Sequence, residues 1–229
     1  MTEVVLIVGA GDGLGASLAR RFAREGSHIV LAARTPAKLR AIAAEARAHA
    51  VRCDATVRAD VEALFAECDA GFGAPDVVVY NASGRLRGPL IDLDPEAVKQ
   101  ALEVSAYGGF LVAQAAAKRM LGKGRGTILL TGASASVKGY AQSAPFAMGK
   151  FALRGLAQSM ARELHPQNIH VAHFVIDGGI RSASRPVPAE SPDSLLDPDA
   201  IADTYFHVAR QARSAWTWEV EVRPWVEKF

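Results

Sequence analysis

Short apolar runs alternate with longer amphipathic stretches along the whole chain, and this alternation constrains the fold more than any other feature. Val4–Val8, His28–Ala33, Val51–Asp54, Asp76–Tyr80, Thr127–Thr131 and His170–Ile176 read as strands, and Glu219–Val222 alternates polar and apolar as a terminal strand should. Between them lie helical patterns. One starts near Gly13, with Leu14, Leu18 and Phe22 at helical spacing, and one is opened by Pro36. Val57–Ala70 carries Val61, Leu64 and Phe65 on one face, and a long helix runs from Asp94-Pro95 to about Leu121. Ala144–His165 carries Leu153, Leu156, Met160 and Leu164, and Asp197-Pro198 starts a last helix that ends near Gln211. Strands apolar on both sides need cover on both faces, which implies a parallel sheet. Right-handed crossovers then make it a doubly wound, Rossmann-type α/β fold of about seven strands.

No linker or composition shift divides the 229 residues, so residues 1–229 are expected to form one domain. Half of the residues are hydrophobic, enough for a sizeable core. A net charge of +2 with Arg and Lys scattered along helices argues against nucleic acid or an anionic membrane as partner. Five apolar residues without a basic leader predict no signal peptide, and no stretch is long enough to span a bilayer. Cys53 and Cys68, with no CxxC spacing, read as buried reduced thiols of a cytoplasmic protein. No metal site is expected. Residues about 181–197, with prolines and serines, form the one long irregular stretch, a length typical of a lid over a site or of disorder.

Gly9-Ala-Gly11-Asp-Gly13-Leu14-Gly15 follows the first strand and opens the first helix. Glycines serve where the chain turns tightly and where a Cβ would hold a pyrophosphate away from the backbone, and the helix N-terminus offers free N–H groups to the anion. At the end of the second strand an NAD site places a carboxylate for the ribose hydroxyls. This chain has Leu31-Ala-Ala-Arg34-Thr35 instead. A guanidinium there suits a 2′-phosphate, which favours NADP(H) over NAD(H), although Arg34 also suits a solvated strand end and Asp12 weighs the other way.

The order and spacing of these glycines, of Asn81-Ala-Ser-Gly84, of Thr131-Gly-Ala-Ser-Ala-Ser136 and of Phe146-Ala-Met-Gly-Lys150 resemble the short-chain dehydrogenase/reductase family over nearly the whole chain. The family's GxxxGxG is matched at Gly9, Gly13 and Gly15. The resemblance implies that Asp54 contacts the adenine (it reads equally as a cap for the next helix), that Asn81 supports the cofactor, and that Gly178, Ile180 and Ser182 receive the nicotinamide, with Asp177 in place of a proline. It also implies a substrate-covering role for residues 181–197.

The family's chemistry uses a Tyr, a Lys, a Ser and an Asn. Lys150 stands at the lysine position, Phe146 at the tyrosine, Ala133 at the serine and Ser105 at the asparagine. A kink at the strand's exit would bring Ser134 into the serine's place. Tyr140 is a candidate proton donor, or a packed loop aromatic; Tyr107 is a second candidate; His173 reads as a satisfied core histidine. Two functions follow. The first is an NADP(H)-dependent oxidoreductase acting on a carbonyl or alcohol with an atypical proton relay built on Lys150, Ser134 and Tyr140. The second is a catalytically inactive NADP(H)-binding sensor or partner subunit. Ala115-Ala-Ala117, Ala157, Ala161 and three tryptophans in the tail predict a homodimer or homotetramer.

Overall fold

The computed structural model describes residues 2–182 and 184–227. Seven parallel strands form one sheet in the order β3-β2-β1-β4-β5-β6-β7. They are β1 Val4–Val8, β2 His28–Ala33, β3 His49–Arg52, β4 Val77–Tyr80, β5 Gly126–Thr131, β6 Ile169–Ile176 and β7 Glu219–Val222. The helices are α1 Leu14–Arg24, α2 Arg40–Glu45, α3 Arg58–Gly71, α4 Pro95–Leu102, α5 Gly108–Lys123, α6 Ala144–Leu164 and α7 Pro198–Ala209. Among the described residues, no helix is long and apolar enough to cross a membrane.

The period of two along each strand sorts side chains between two cores. On β1, Val4, Leu6 and Val8 face the layer of α3, α5 and α6, while Val5 and Ile7 face α1 and α7. Phe22 and Leu18 of α1 are fully buried in the second core, and Leu153, Ala157 and Leu164 of α6 in the first. Complete burial of such a large side chain contributes about 1.5–3 kcal/mol.

The third strand and the long helix differ from expectation. The third strand begins at His49, two residues before the expected Val51, because Ala50 and Val51 continue the pairing with Leu31 and Ala32 of β2. The long helix from Pro95 is interrupted by a π-helical turn at Glu103–Tyr107. The Tyr80 hydroxyl donates to the Val104 carbonyl within that turn. Wide turns of this kind concentrate at functional sites.

Strand order reverses between β1 and β4, since β2 lies on one side of β1 and β4 on the other. The connections leaving these strands diverge to opposite faces and open a crevice at their C-terminal ends. Gly9, Gly11, Gly13, Arg34, Asp54, Asn81, Ser134 and Gly178 lie at that edge of the sheet or on the segments leaving it.

Candidate active site

A cavity of about 770 Å³ fills the crevice, lined among others by Gly9, Gly11, Arg34, Lys38, Asp54 and Asn81. Gly9 has φ +81°, and a Cβ there would lie 2.3 Å from the Ala82 nitrogen, so the turn after β1 can press against the chain leaving β4 only with glycine. The Asn81 side chain ties the same two segments together, donating to the Gly9 carbonyl at 3.1 Å. Gly15 packs against Ala10, whereas a Cβ at Gly11 or Gly13 would meet nothing within 4 Å. The space beside Gly11 therefore opens to the cavity. Gly13 is the N-cap of α1 and supplies no side-chain cap, so the first N–H groups of the helix, at Leu14 and Gly15, have no side-chain acceptor there.

At the far end, Arg34 and Lys38 line the wall together. Lys38 escaped the sequence reading, although a second cation four residues after Arg34 at a helix start is a legible signal. Asp54 accepts from the Thr56 nitrogen at 3.0 Å and hydroxyl at 2.8 Å, closing a turn; the cap position of α3 falls to Val57. Burial alone would raise its pKa, but those hydrogen bonds and the nearby Arg34 and Arg52 outweigh it, so the carboxyl stays below the usual carboxylate range.

A smaller cavity of about 290 Å³ lies further along the same edge, lined by Ser134, Tyr140, Ser143, Phe146, Gly178 and charged side chains. The chain leaving β5 makes a 3₁₀ turn at Ser134–Ser136, which swings Ser134 into this wall. The turn is pinned from below. The Ser136 hydroxyl accepts from the Ala133 N–H at 3.1 Å and lies 3.3 Å from His173 Nε2, while His173 Nδ1 lies 3.0 Å from Glu219. A carboxylate only accepts, so Nδ1 carries the proton and Nε2 accepts from Ser136. His173 is a satisfied core residue, and burial pushes its pKa down to about 4 despite Glu219.

Lys150, on α6, is buried and donates to the Thr131 carbonyl at 2.6 Å. Burial, and secondarily the Arg85 charge, bring its pKa down to about 8. Its Nζ lies 6.0 Å from the centre of the Phe146 ring. Ser105 is turned away from both cavities, bonded through its hydroxyl to the Gly84 backbone at 2.9 Å and filling the space beside Gly149. Tyr140 stands at the rim, 45% exposed and beside Lys138. Tyr107 stacks on Phe110 and lines neither cavity. Ile180 pairs with Leu196 and Ser182 with Arg185, so the segment after β6 is knitted to the start of α7, and only Gly178 of these three expected nicotinamide residues lines the smaller cavity.

A third cavity, of about 650 Å³, opens at the opposite edge of the sheet, but its charges are already matched, Lys123 with Asp76 and Arg210 with Glu3, both at 2.7 Å.

The sequence pattern of the short chain dehydrogenases matches residues 3–185. The chain belongs to the short-chain dehydrogenase family. Its relatives in that family include an uncharacterized oxidoreductase of Staphylococcus aureus strain N315, 26% identical over 97% of both chains. A solved short-chain dehydrogenase from Rhodopseudomonas palustris is 35% identical and superposes with a TM-score of 0.85 over 97% of this chain and 99% of its own. A metagenomic short-chain oxidoreductase solved in complex with NADP is 29% identical, with a TM-score of 0.85 over 98% of each chain. Within this short-chain dehydrogenase, both Cys53 and Cys68 are buried, free thiols, and burial raises their pKa to about 12 and about 11.

Proposed function

We infer that this short-chain dehydrogenase binds NADP(H) in the larger cavity and uses it on a carbonyl or alcohol held in the smaller one. The observation that carries the reading is the pairing, in one crevice, of an open glycine cradle at Gly11 with Arg34 and Lys38 at its other end. Gly11, Gly13, Leu14 and Gly15 would hold the pyrophosphate, Asp54 and Asn81 the adenosine end, and Arg34 with Lys38 the 2′-phosphate. Gly178, Ile180, Ser182 and Lys150 would border the nicotinamide end. A structure of a related metagenomic oxidoreductase with NADP supports that choice of cofactor. The nicotinamide, when bound, would supply or accept the hydride.

The chain's own residues must then supply the proton. Phe146 has none to give. Lys150 is a buried ammonium with a pKa of about 8, close to neutral pH, where a group both holds and releases a proton readily. Ser134 places a hydroxyl on the cavity wall where a substrate oxygen can bond, and Tyr140 closes the rim. In this reading Lys150, which lines neither cavity, is the proton source, and Ser134 is the donor that faces the substrate.

Phe146 also favours a second reading, an NADP(H)-binding sensor or partner subunit with no turnover. Titration of the purified protein with NADPH and NADH, followed by nicotinamide absorbance over a panel of carbonyl compounds, separates the two. With Lys150 as the acid, kcat/KM for reduction should be level below pH about 8 and fall above it, as the ammonium loses its proton. NADPH binding without turnover would leave the sensor reading; no binding of either nucleotide would remove both.

A further inference from the structure

Three guanidinium groups converge on the smaller cavity. Arg85 and Arg87 come from the segment after β4 and Arg185 from the segment after β6, and all three line the same 290 Å³ as Ser134 and Phe146. Arg85 lies over the Phe146 ring, 4.9 Å from its centre. A guanidinium held over an aromatic face still has N–H groups with which to meet an anion. Phe146 thus has a use of its own, as the platform for an arginine.

Two carboxylates share the wall. Asp177 is occupied, 3.5 Å from both Lys138 and Arg223. Glu227 lies at the other margin. Among the described residues, no ion pair joins a carboxylate to Arg85, Arg87 or Arg185. Partial burial and then the charges of Arg185 and Arg87 hold the Arg85 pKa below its ordinary value, the direction expected of like charges crowded together. A pocket for a neutral substrate is mostly apolar with a few polar groups, whereas five charged side chains line this one. Its volume sits at the lower limit of about 300 Å³ for small-molecule sites, so the occupant is compact.

We propose that the smaller cavity takes a small carbonyl compound bearing a carboxylate, with Arg85, Arg87 and Arg185 holding the carboxylate and Ser134 facing the remainder. The anion site stands on this cavity alone; only the fate of the carbonyl rests on the oxidoreductase reading. The arginines line the smaller cavity and not the nucleotide cavity, so the two can be tested apart.

The test compares benzoylformate with its neutral methyl ester, by calorimetry on NADP⁺-saturated protein. The acid should bind at least about tenfold more tightly than the ester, a preference that charge-assisted pairing can supply and that added salt should erode. Arg85→Gln with Arg185→Gln should reduce the preference to less than about threefold, leaving NADPH affinity and the thermal melt unchanged. If the double variant does not fold, Arg87→Gln alone should still weaken the acid and not the ester. Glu227→Gln should tighten the acid. Equal affinity for acid and ester, no acid binding up to about 10 mM, or a preference that survives the arginine variants would overturn the proposal. Should the wild-type protein fail to bind NADPH, the oxidoreductase reading falls, and the same comparison on nucleotide-free protein decides the anion site.

Discussion

Arg34 and Phe146 carry most of the functional argument at the scale of single residues. Arg34 is exposed at the end of β2, and Lys38 lines the wall of the larger cavity with it. A guanidinium on a 2′-phosphate is worth about 1.5–3 kcal/mol. Arg34→Ala should therefore weaken NADPH binding by about tenfold or more while leaving NADH nearly unchanged. Fluorescence titration with both nucleotides checks this, and an equal loss for both would remove the assignment. At position 146, Phe146→Tyr would set a phenol near the Lys150 ammonium, whose charge favours the phenolate. The ring would still support Arg85. Adding Ala133→Ser would restore a second hydroxyl beside Ser134. The double variant is expected to reduce aromatic ketones or diketones with NADPH faster than wild type, and the single variant to gain less, because the two groups act as a unit. If NADPH binds the double variant normally and no tested carbonyl turns over, the pocket has been remodelled beyond the family's chemistry.

At the scale of elements, the hydrogen-bonded chain from Ala133 through Ser136 and His173 to Glu219 joins the turn after β5 to β6 and β7. Arg154 of α6 closes it with two bonds to Glu219, at 2.6 and 2.7 Å. Gly132 lets the ring in, since a Cβ there would lie 2.3 Å from His173 Nε2. Protonating His173 would reverse its bond to Ser136 and place a charge in a buried site. Its pKa falls from 6.5 in the unfolded chain to about 4, so across that window the unfolded state takes up a proton that the native state refuses. Stability should then drop as the pH falls from 6.5 to 4, by roughly 3 kcal/mol from this residue. Urea unfolding across that range checks it. His173→Asn should flatten the acid limb, and an unchanged limb would show that other groups govern it.

For the whole molecule, the alanines expected to mediate oligomerisation are consumed within the subunit. Ala116, Ala157 and Ala161 are buried in its own core, and Ala115 and Ala117 pack against it. Two of the tail tryptophans also make contacts within the subunit, Trp216 stacked on His170 and Trp218 beside Arg154. Among the exposed large apolar side chains, Tyr107, Phe110, Met148 and Phe151 are each 41–51% exposed on or beside α5 and α6. These are better grounds for a homo-oligomer than the alanines. Light scattering at micromolar concentration should give a multiple of 24.3 kDa, and a mass near 24.3 kDa itself would refute it.

The sequence by itself determined the strand–helix alternation, because burial on both faces of a strand leaves a continuous apolar run, and burial on one face of a helix leaves a 3.6-residue period. It also located the glycine turn, whose backbone demands are written into residue type, and the absence of a phenol at Phe146. The tertiary structure alone decided which side chains share a cavity. Arg85, Arg87 and Arg185 are separated by up to 100 residues, and no local pattern marks their convergence; the Arg85-Leu-Arg87 spacing hints at it only in retrospect. Whether Ser134 or Ala133 faces the site depended on a 3₁₀ turn held by His173, a long-range contact. The depressed pKa of Lys150 likewise comes from burial beneath strands and loops far away in sequence. Local periodicity reports what a segment hides from water; only the packing of several segments fixes what they jointly present to a ligand.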